Sequence, residues 1–191
     1  MTIHKPANTL YPVLELIKKR WSPRSFKLQE VTEKDMLTLL EAASWAFSAN
    51  NLQPWFFIYA HHGAEGFEKI LNCLVPANQL WAKNAPVLMI SLAQVINEKG
   101  KPNGWAKHDL GAANLQLALQ AVSMDIYAHP MAGFDKQKTI DTIPFDSTIY
   151  EPVTFIAFGY PDDAEMLEEP YRSRELAPRT RKTVGEFSTK I

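Results

Sequence analysis

The chain has 191 residues, of which 46% are hydrophobic and 21% charged, with a formal net charge of −1. That length suits one domain with a proper core, and so balanced a charge offers no general attraction to nucleic acid or to an anionic membrane. No apolar run approaches the ~20 residues that cross a bilayer, no N-terminal stretch has the apolar core of a leader, and the lone cysteine, Cys73, excludes an intrachain disulfide. A cytoplasmic protein with a single domain over residues 1–191 is expected.

In chain order, Pro12 to Lys19 reads as a short helix that closes into a basic island, Arg20-Trp21-Ser22-Pro23-Arg24. Thr32 to Asp35 resembles a capping box with Asp in place of Glu, and Met36, Leu39, Leu40 and Ala43 continue at helical spacing. The helix should stop near Ala46, leaving Asn51-Leu52-Gln53-Pro54-Trp55 on a loop. Trp55 to His61 is rich in aromatics and reads as a strand. Ala64 to Val75 is amphipathic and helical, with Cys73 on its apolar face as a small core residue. Pro86 to Val95 and Pro152 to Tyr160 are mostly apolar strands. Between them the longest helix runs from about Lys107 to Met124, rich in small residues, and Pro130-Met131-Ala132-Gly133 follows as a loop. Asp135 is placed to cap a short helix through Ile143. Pro161 to Ile191 is a polar tail broken by prolines, and it carries Arg179-Thr180-Arg181.

Each island has an ordinary and a functional reading. Arg20, Ser22 and Arg24 fit a solvated basic loop at a helix end, where the dipole favours cations. Yet in an extended segment residues at i, i+2 and i+4 point the same way, and Pro23 keeps Ser22 out of the helical region. Arginine's planar fork then suits a phosphate. Asn51 and Gln53 are either plain loop residues or donors and acceptors for a polar ring and its hydroxyls. Trp55 belongs to the core more readily than to a ligand. Pro130 to Gly133 is either a simple turn or a backbone able to approach a flat ring closely. The histidines lack zinc-site spacing: His4 sits in the terminal arm, His61 and His62 point to opposite strand faces, His108 is on a helix and His129 is beside the turn. No metal site is expected. No nucleophile–base constellation stands out either, which is what a chain that leaves its chemistry to a cofactor would show.

Together these islands resemble the FMN-dependent nitroreductases in order and spacing over residues 11–187. Arg20, Ser22, Arg24 and Phe26 fill that family's opening pattern, while Ser48, Ala49, Asn51, Gln53, Pro54 and Trp55 fill the second. Pro130, Gly133 and Phe134 match the third, and Arg179 and Arg181 the last. The resemblance implies an α+β fold with a central, mainly antiparallel sheet of four or five strands flanked by helices. It also implies an intertwined homodimer whose C-terminal tail, residues 161–191, embraces the partner. FMN would be held non-covalently by Arg20, Trp21, Ser22, Arg24, Ser48, Ala49, Asn51, Gln53, Asn78, Pro130, Met131, Ala132, Gly133, Arg179 and Arg181. Backbone amides of Ala132 and Gly133 would approach N5 and O4 of the flavin, and the Asn51 loop would serve the flavin held mainly by the partner. The chemistry takes place on N5, so no side chain is assigned a catalytic role. NAD(P)H would reduce the flavin by a ping-pong route, and a small-molecule nitro compound, quinone or related electrophile would reoxidise it. Two departures stand out: Phe47 where proline is common, and Ala132 where some members carry Glu. Dehalogenation, enone reduction, flavin fragmentation and peptide-azoline oxidation on the same scaffold remain alternatives, as does a flavin-binding module with little turnover.

Overall fold

A computed structural model describes residues 5–191, so His4 lies outside the described residues. Four strands form one antiparallel sheet: β1 (Trp55–His61), β2 (Val87–Gln94), β3 (Tyr127–Met131) and β4 (Tyr150–Gly159), in the order β1-β2-β4-β3. The helices are α1 (Glu15–Lys19), α2 (Glu33–Ser44), α3 (Glu65–Cys73), α4 (Pro76–Ala82), α5 (Ala106–Ser123), α6 (Lys136–Thr142) and α7 (Tyr171–Leu176).

The two central strands, β2 and β4, are apolar because both their faces are covered. Leu88, Ile90, Leu92, Phe155 and Ala157 point to one side, where they meet Phe67, Ile70 and Cys73 of α3 and Trp81 of α4. Val87, Met89, Ile156 and Phe158 point to the other, where Met36, Leu39 and Ala43 of α2 pack with Ala113, Leu117 and Ala121 of α5. The period-2 alternation of a strand divides a nearly continuous apolar run between two cores.

Local chemistry fixes the boundaries. The Thr32 side chain accepts the Asp35 N–H and the Asp35 carboxylate accepts the Thr32 N–H, so α2 begins with a complete capping box. Asp135 caps α6 by accepting from Lys138 N–H. Pro152 is tolerated inside a central strand because the β2–β4 register shifts between Ser91 and Leu92. The expected loop at residues 130–133 is half strand: Pro130 and Met131 close β3, and Pro130 pairs with Ile156. β3 is an edge strand, where the N–H that proline lacks has no ladder to serve. Helix α4, with Pro76 at its first position, is an element the polar sequence around Asn78 did not suggest.

The tail divides into two parts. Ala164, Leu167, Tyr171 and Glu175 are buried against this chain, whereas residues 180–191 are exposed.

Candidate functional site

The basic island lies just beyond the end of β4. Phe26 bridges Pro161, Lys27 N–H donates to Tyr160 O (2.8 Å), and Asp162 N–H donates to Ser25 O (3.0 Å). Gly159 makes room for this approach, since a Cβ there would stand 2.6 Å from Pro86 Cδ and 2.7 Å from Phe26 Cδ1. Upstream of Phe26 the island has no strand partner, and side chains hold it instead. His129 Nδ1 lies 2.8 Å from Pro23 O, which can only accept, so Nδ1 carries the hydrogen. Burial, reinforced by the nearby Arg24 and Arg20 charges, pushes the His129 pKa down to about 4, so the ring is neutral at pH 7.

Glu175 of α7 holds the next two residues. Its Oε1 accepts the N–H groups of Arg24 (2.7 Å) and Ser25 (3.2 Å), and its Oε2 lies 3.7 Å from Arg24 Nη1. Burial raises the Glu175 pKa, against the pull of those two N–H groups and of the Arg24 and Lys5 charges. Arg24 is thus matched by a carboxylate and lies over the Trp81 ring, 6.0 Å from its centroid.

Arg20 is placed differently. Its Nη1 reaches Ser22 Oγ (3.4 Å), and its proton affinity is lowered by burial and then by the charges of Arg179 and Arg181. Arg179 Nη1 donates to the carbonyls of Lys5 (2.6 Å) and Lys18 (2.9 Å), and Arg181 Nη1 to that of Thr180 (2.7 Å). Among the described residues none of these three guanidiniums pairs with a carboxylate. Two islands almost 160 residues apart therefore meet as mutually repelling cations. Such an arrangement calls for an anion.

A line of contacts leads from there to the third island. The rings of His129 and Trp81 are 4.5 Å apart, and Trp81 shares α4 with Asn78. Asn78 Nδ2 donates to Gly133 O (3.0 Å), which also accepts the N–H of Val75 (3.1 Å). A Cβ at Gly133 would meet Asn78 Nδ2 at 2.8 Å and Val75 Cγ2 at 2.9 Å. Pro130 and Ala132 are exposed, whereas the side chains of Met131 and Trp21 are buried, the latter against Val122 and Tyr127.

The second island stands apart. It precedes β1, and β1 and β3 are opposite edges of the sheet, about 14 Å apart across three strand spacings. Asp109 anchors it from the first turn of α5, its Oδ2 accepting from Ala49 N–H (2.8 Å) and Ser48 Oγ (3.2 Å). Burial would raise the Asp109 pKa, but hydrogen bonds from His108, Ala49 and Ser48 bring it below the usual value. Ser48 Oγ in turn accepts Gln53 N–H (2.8 Å). Asn50, Asn51 and Gln53 have φ of 53°, 55° and 47°, a left-handed path that turns their amides outward. They line an open cavity of about 500 Å³ with Gln94, Asn97 and Asn103.

Sequence reasoning missed the supports Glu175 and Asp109, while His129, read beside the turn as a structural residue or a pocket-lining one, holds Pro23. Nothing in the tail marks Glu175 out from its acidic neighbours. Asp109, however, falls one turn before Ala113 on the apolar side of α5, and a carboxylate there is a usable warning of a buried partner. Among the described residues no three His, Cys, Asp or Glu side chains gather as metal ligands would, and no helix is long and apolar enough to cross a membrane. Cys73 is buried with its Sγ 3.3 Å from Lys69 O, and burial raises its pKa.

Comparison with known proteins points one way. Residues 17–78 match the model of the nitroreductase family. A crystal structure described as an oxidoreductase containing FMN superposes with a TM-score of 0.90 and 35% identity, over 100% of this chain and 97% of that one. A protein of Methanothermobacter thermautotrophicus, named as an NADH dehydrogenase/NAD(P)H nitroreductase, is 32% identical over 78% of this chain and 77% of its own. A Streptococcus pyogenes protein named as an NAD(P)H nitroreductase is 26% identical over 83% of this chain and 94% of its own. With the antiparallel sheet and the convergent arginines already in place, this likeness means that the chain belongs to the nitroreductase family.

Proposed function

We propose that the protein is an FMN-dependent oxidoreductase that uses NAD(P)H to reduce nitroaromatics, quinones or related electrophiles. The observation that carries this reading is the meeting of Arg20, Arg179 and Arg181, which pair with no carboxylate among the described residues, near the Asn78–Gly133 turn. A phosphate fits the first and a flat heteroaromatic ring the second, which together describe a flavin mononucleotide. Bound FMN supplies hydride acceptance from the nicotinamide and passes reducing equivalents to the acceptor.

The chain's own residues bind and orient. Arg20 and Ser22 present donors from an extended segment, and Arg179 and Arg181 close on the same anion from the tail. Arg24 lends charge but is largely committed to Glu175. Trp21 and Met131, with buried side chains, contribute through their backbone. Asn78 fixes the position of the Gly133 carbonyl, which leaves the Ala132 and Gly133 amides as donors toward the ring. Ser48, Ala49, Asn51 and Gln53 act on a second flavin, that of a partner copy, because the sheet stands between them and β3. Homodimerisation answers a further feature: Trp45, Phe47, Trp105 and Leu115 are exposed on and beside α5, a patch that a second copy would cover. In this reading residues 1–191 form a single flavin-binding domain whose tail, residues 161–191, reaches the partner through its exposed end.

The test is spectroscopic. Under anaerobic conditions NADH or NADPH should bleach the yellow protein, and a nitroaromatic should restore the colour. Failure to bleach with either nucleotide would replace the enzyme with a flavin-binding module.

A further inference from the structure

Glu175 does more than occupy the core. Its carboxylate is 1% exposed, a poor place for a charge unless groups around it compensate. Those groups are the N–H donors of Arg24 and Ser25, the guanidinium of Arg24 and, through space, Lys5. Its Oε2 has no hydrogen-bond partner among the described residues, so the Arg24 charge is its nearest compensation.

The dependence runs the other way as well. Residues 20–25 precede the first bridge of this segment, from Phe26 to Pro161, and without Glu175 the buried N–H of Ser25 and the N–H of Arg24 would be left unpaired. Glu175 also reaches the other half of the arginine cluster. Its carbonyl accepts Lys5 Nζ (2.6 Å), and the Lys5 carbonyl accepts Arg179 Nη1 (2.6 Å), four residues further along the chain. One residue is therefore tied to the segment that carries Arg20 and Ser22 and to the tail that carries Arg179 and Arg181.

We propose that Glu175 is the positioning residue of the phosphate site: its buried carboxylate sets the backbone at Arg24 and Ser25 and takes up the Arg24 charge, so that Arg20 and Ser22 face the same phosphate as Arg179 and Arg181, which its main-chain carbonyl helps to hold through Lys5. It does not touch the ligand. The proposal rests on the FMN reading above, but it concerns the phosphate alone and leaves the ring contacts at Asn78 and Gly133 unchanged.

The experiment compares flavins with and without that group. Full-length wild type, Glu175→Gln and Glu175→Ala are titrated with FMN and with riboflavin, and the ratio of the two dissociation constants isolates the phosphate contribution. Wild type should prefer FMN strongly. Both variants should lose that preference by about tenfold or more, the scale of one charge-assisted contact, with riboflavin affinity within about twofold of wild type. An unchanged ratio, or equal weakening of both flavins, would overturn the proposal and leave Glu175 a general structural residue. The isosteric Glu175→Gln keeps the test open if Glu175→Ala does not fold. A wild type that binds FMN and riboflavin equally would instead bring down the phosphate site itself, and this proposal with it.

Discussion

His129 on the edge strand and Pro23 in the basic island are joined by a single hydrogen bond of 2.8 Å, made by a ring that must stay neutral to belong where it is. The His129 pKa falls from 6.5 to about 4 on folding, so between those values the unfolded chain takes up a proton that the native protein refuses. Stability should therefore decline as the pH drops through that window, by about 3 kcal/mol in total from this group, and level off below it. Glu175, with its raised pKa, works in the opposite sense by binding a proton more readily in the folded state. Denaturant melts of wild type and His129→Gln between pH 7 and pH 4 separate the two: the variant should lose the acid-side decline that His129 contributes. Parallel curves would mean that the histidine does not titrate as stated.

The unpaired arginines make a prediction with two signs. Arg20→Ala and Arg181→Ala should each weaken FMN binding roughly tenfold to a hundredfold, the loss of about 1.5–3 kcal/mol for one charge-assisted contact. Lys19→Ala should not, because Lys19 is engaged with Asp125. In flavin-free protein the same two arginine variants should melt no lower than wild type, since each relieves repulsion within the cluster. Fluorescence titration and thermal melts of both forms supply the comparison.

Gly133→Ala should harm the ring site. Its new Cβ must displace the Val75 Cγ2 methyl and Asn78 Nδ2, the latter a donor that holds the carbonyl of that residue in place. A loss of about 1–3 kcal/mol in stability is expected for overpacking, together with weaker riboflavin binding. Intact riboflavin affinity would show that the turn does not set the ring position.

Asp109→Ala removes the shared acceptor of Ala49 N–H and Ser48 Oγ, at a cost of about 1–3 kcal/mol for buried groups left unmatched. If the loop completes a partner's site, the variant should also lower turnover in a dimer whose phosphate contacts are untouched. Steady-state kinetics beside a melting curve would check both parts.

Deleting residues 178–191 removes Arg179 and Arg181 but spares the buried Tyr171 and Glu175. The shortened protein should fold, lose FMN and elute as a looser dimer or a monomer. A truncated protein that stays yellow and elutes unchanged would refute both the phosphate role and the dimer role of the tail.

Much of the architecture could be read from local pattern. The Thr32 box, the Asp135 cap and the Trp55–His61 strand are encoded within a few residues, and the structure has each of them. Strand β3 was hidden because a Tyr-Ala-His-Pro-Met run reads as a turn until an edge position excuses its proline. Helix α4 was hidden by its brevity. The nitroreductase resemblance rested on residues that are all visible in one dimension. The supports beneath them, Glu175 for Arg24 and Asp109 for Ala49, span 151 and 60 positions and became evident only on folding.

The left-handed path through Asn50, Asn51 and Gln53 has a bearing on engineering. A side chain in that region is strained by roughly 1–2 kcal/mol where it is not asparagine, so Gln53→Gly is the substitution a stability designer would choose first. It would also erase an amide that faces the cavity beside Gln94 and Asn103. Ranking variants of this loop by melting temperature alone would thus favour those with the least left to offer a ligand.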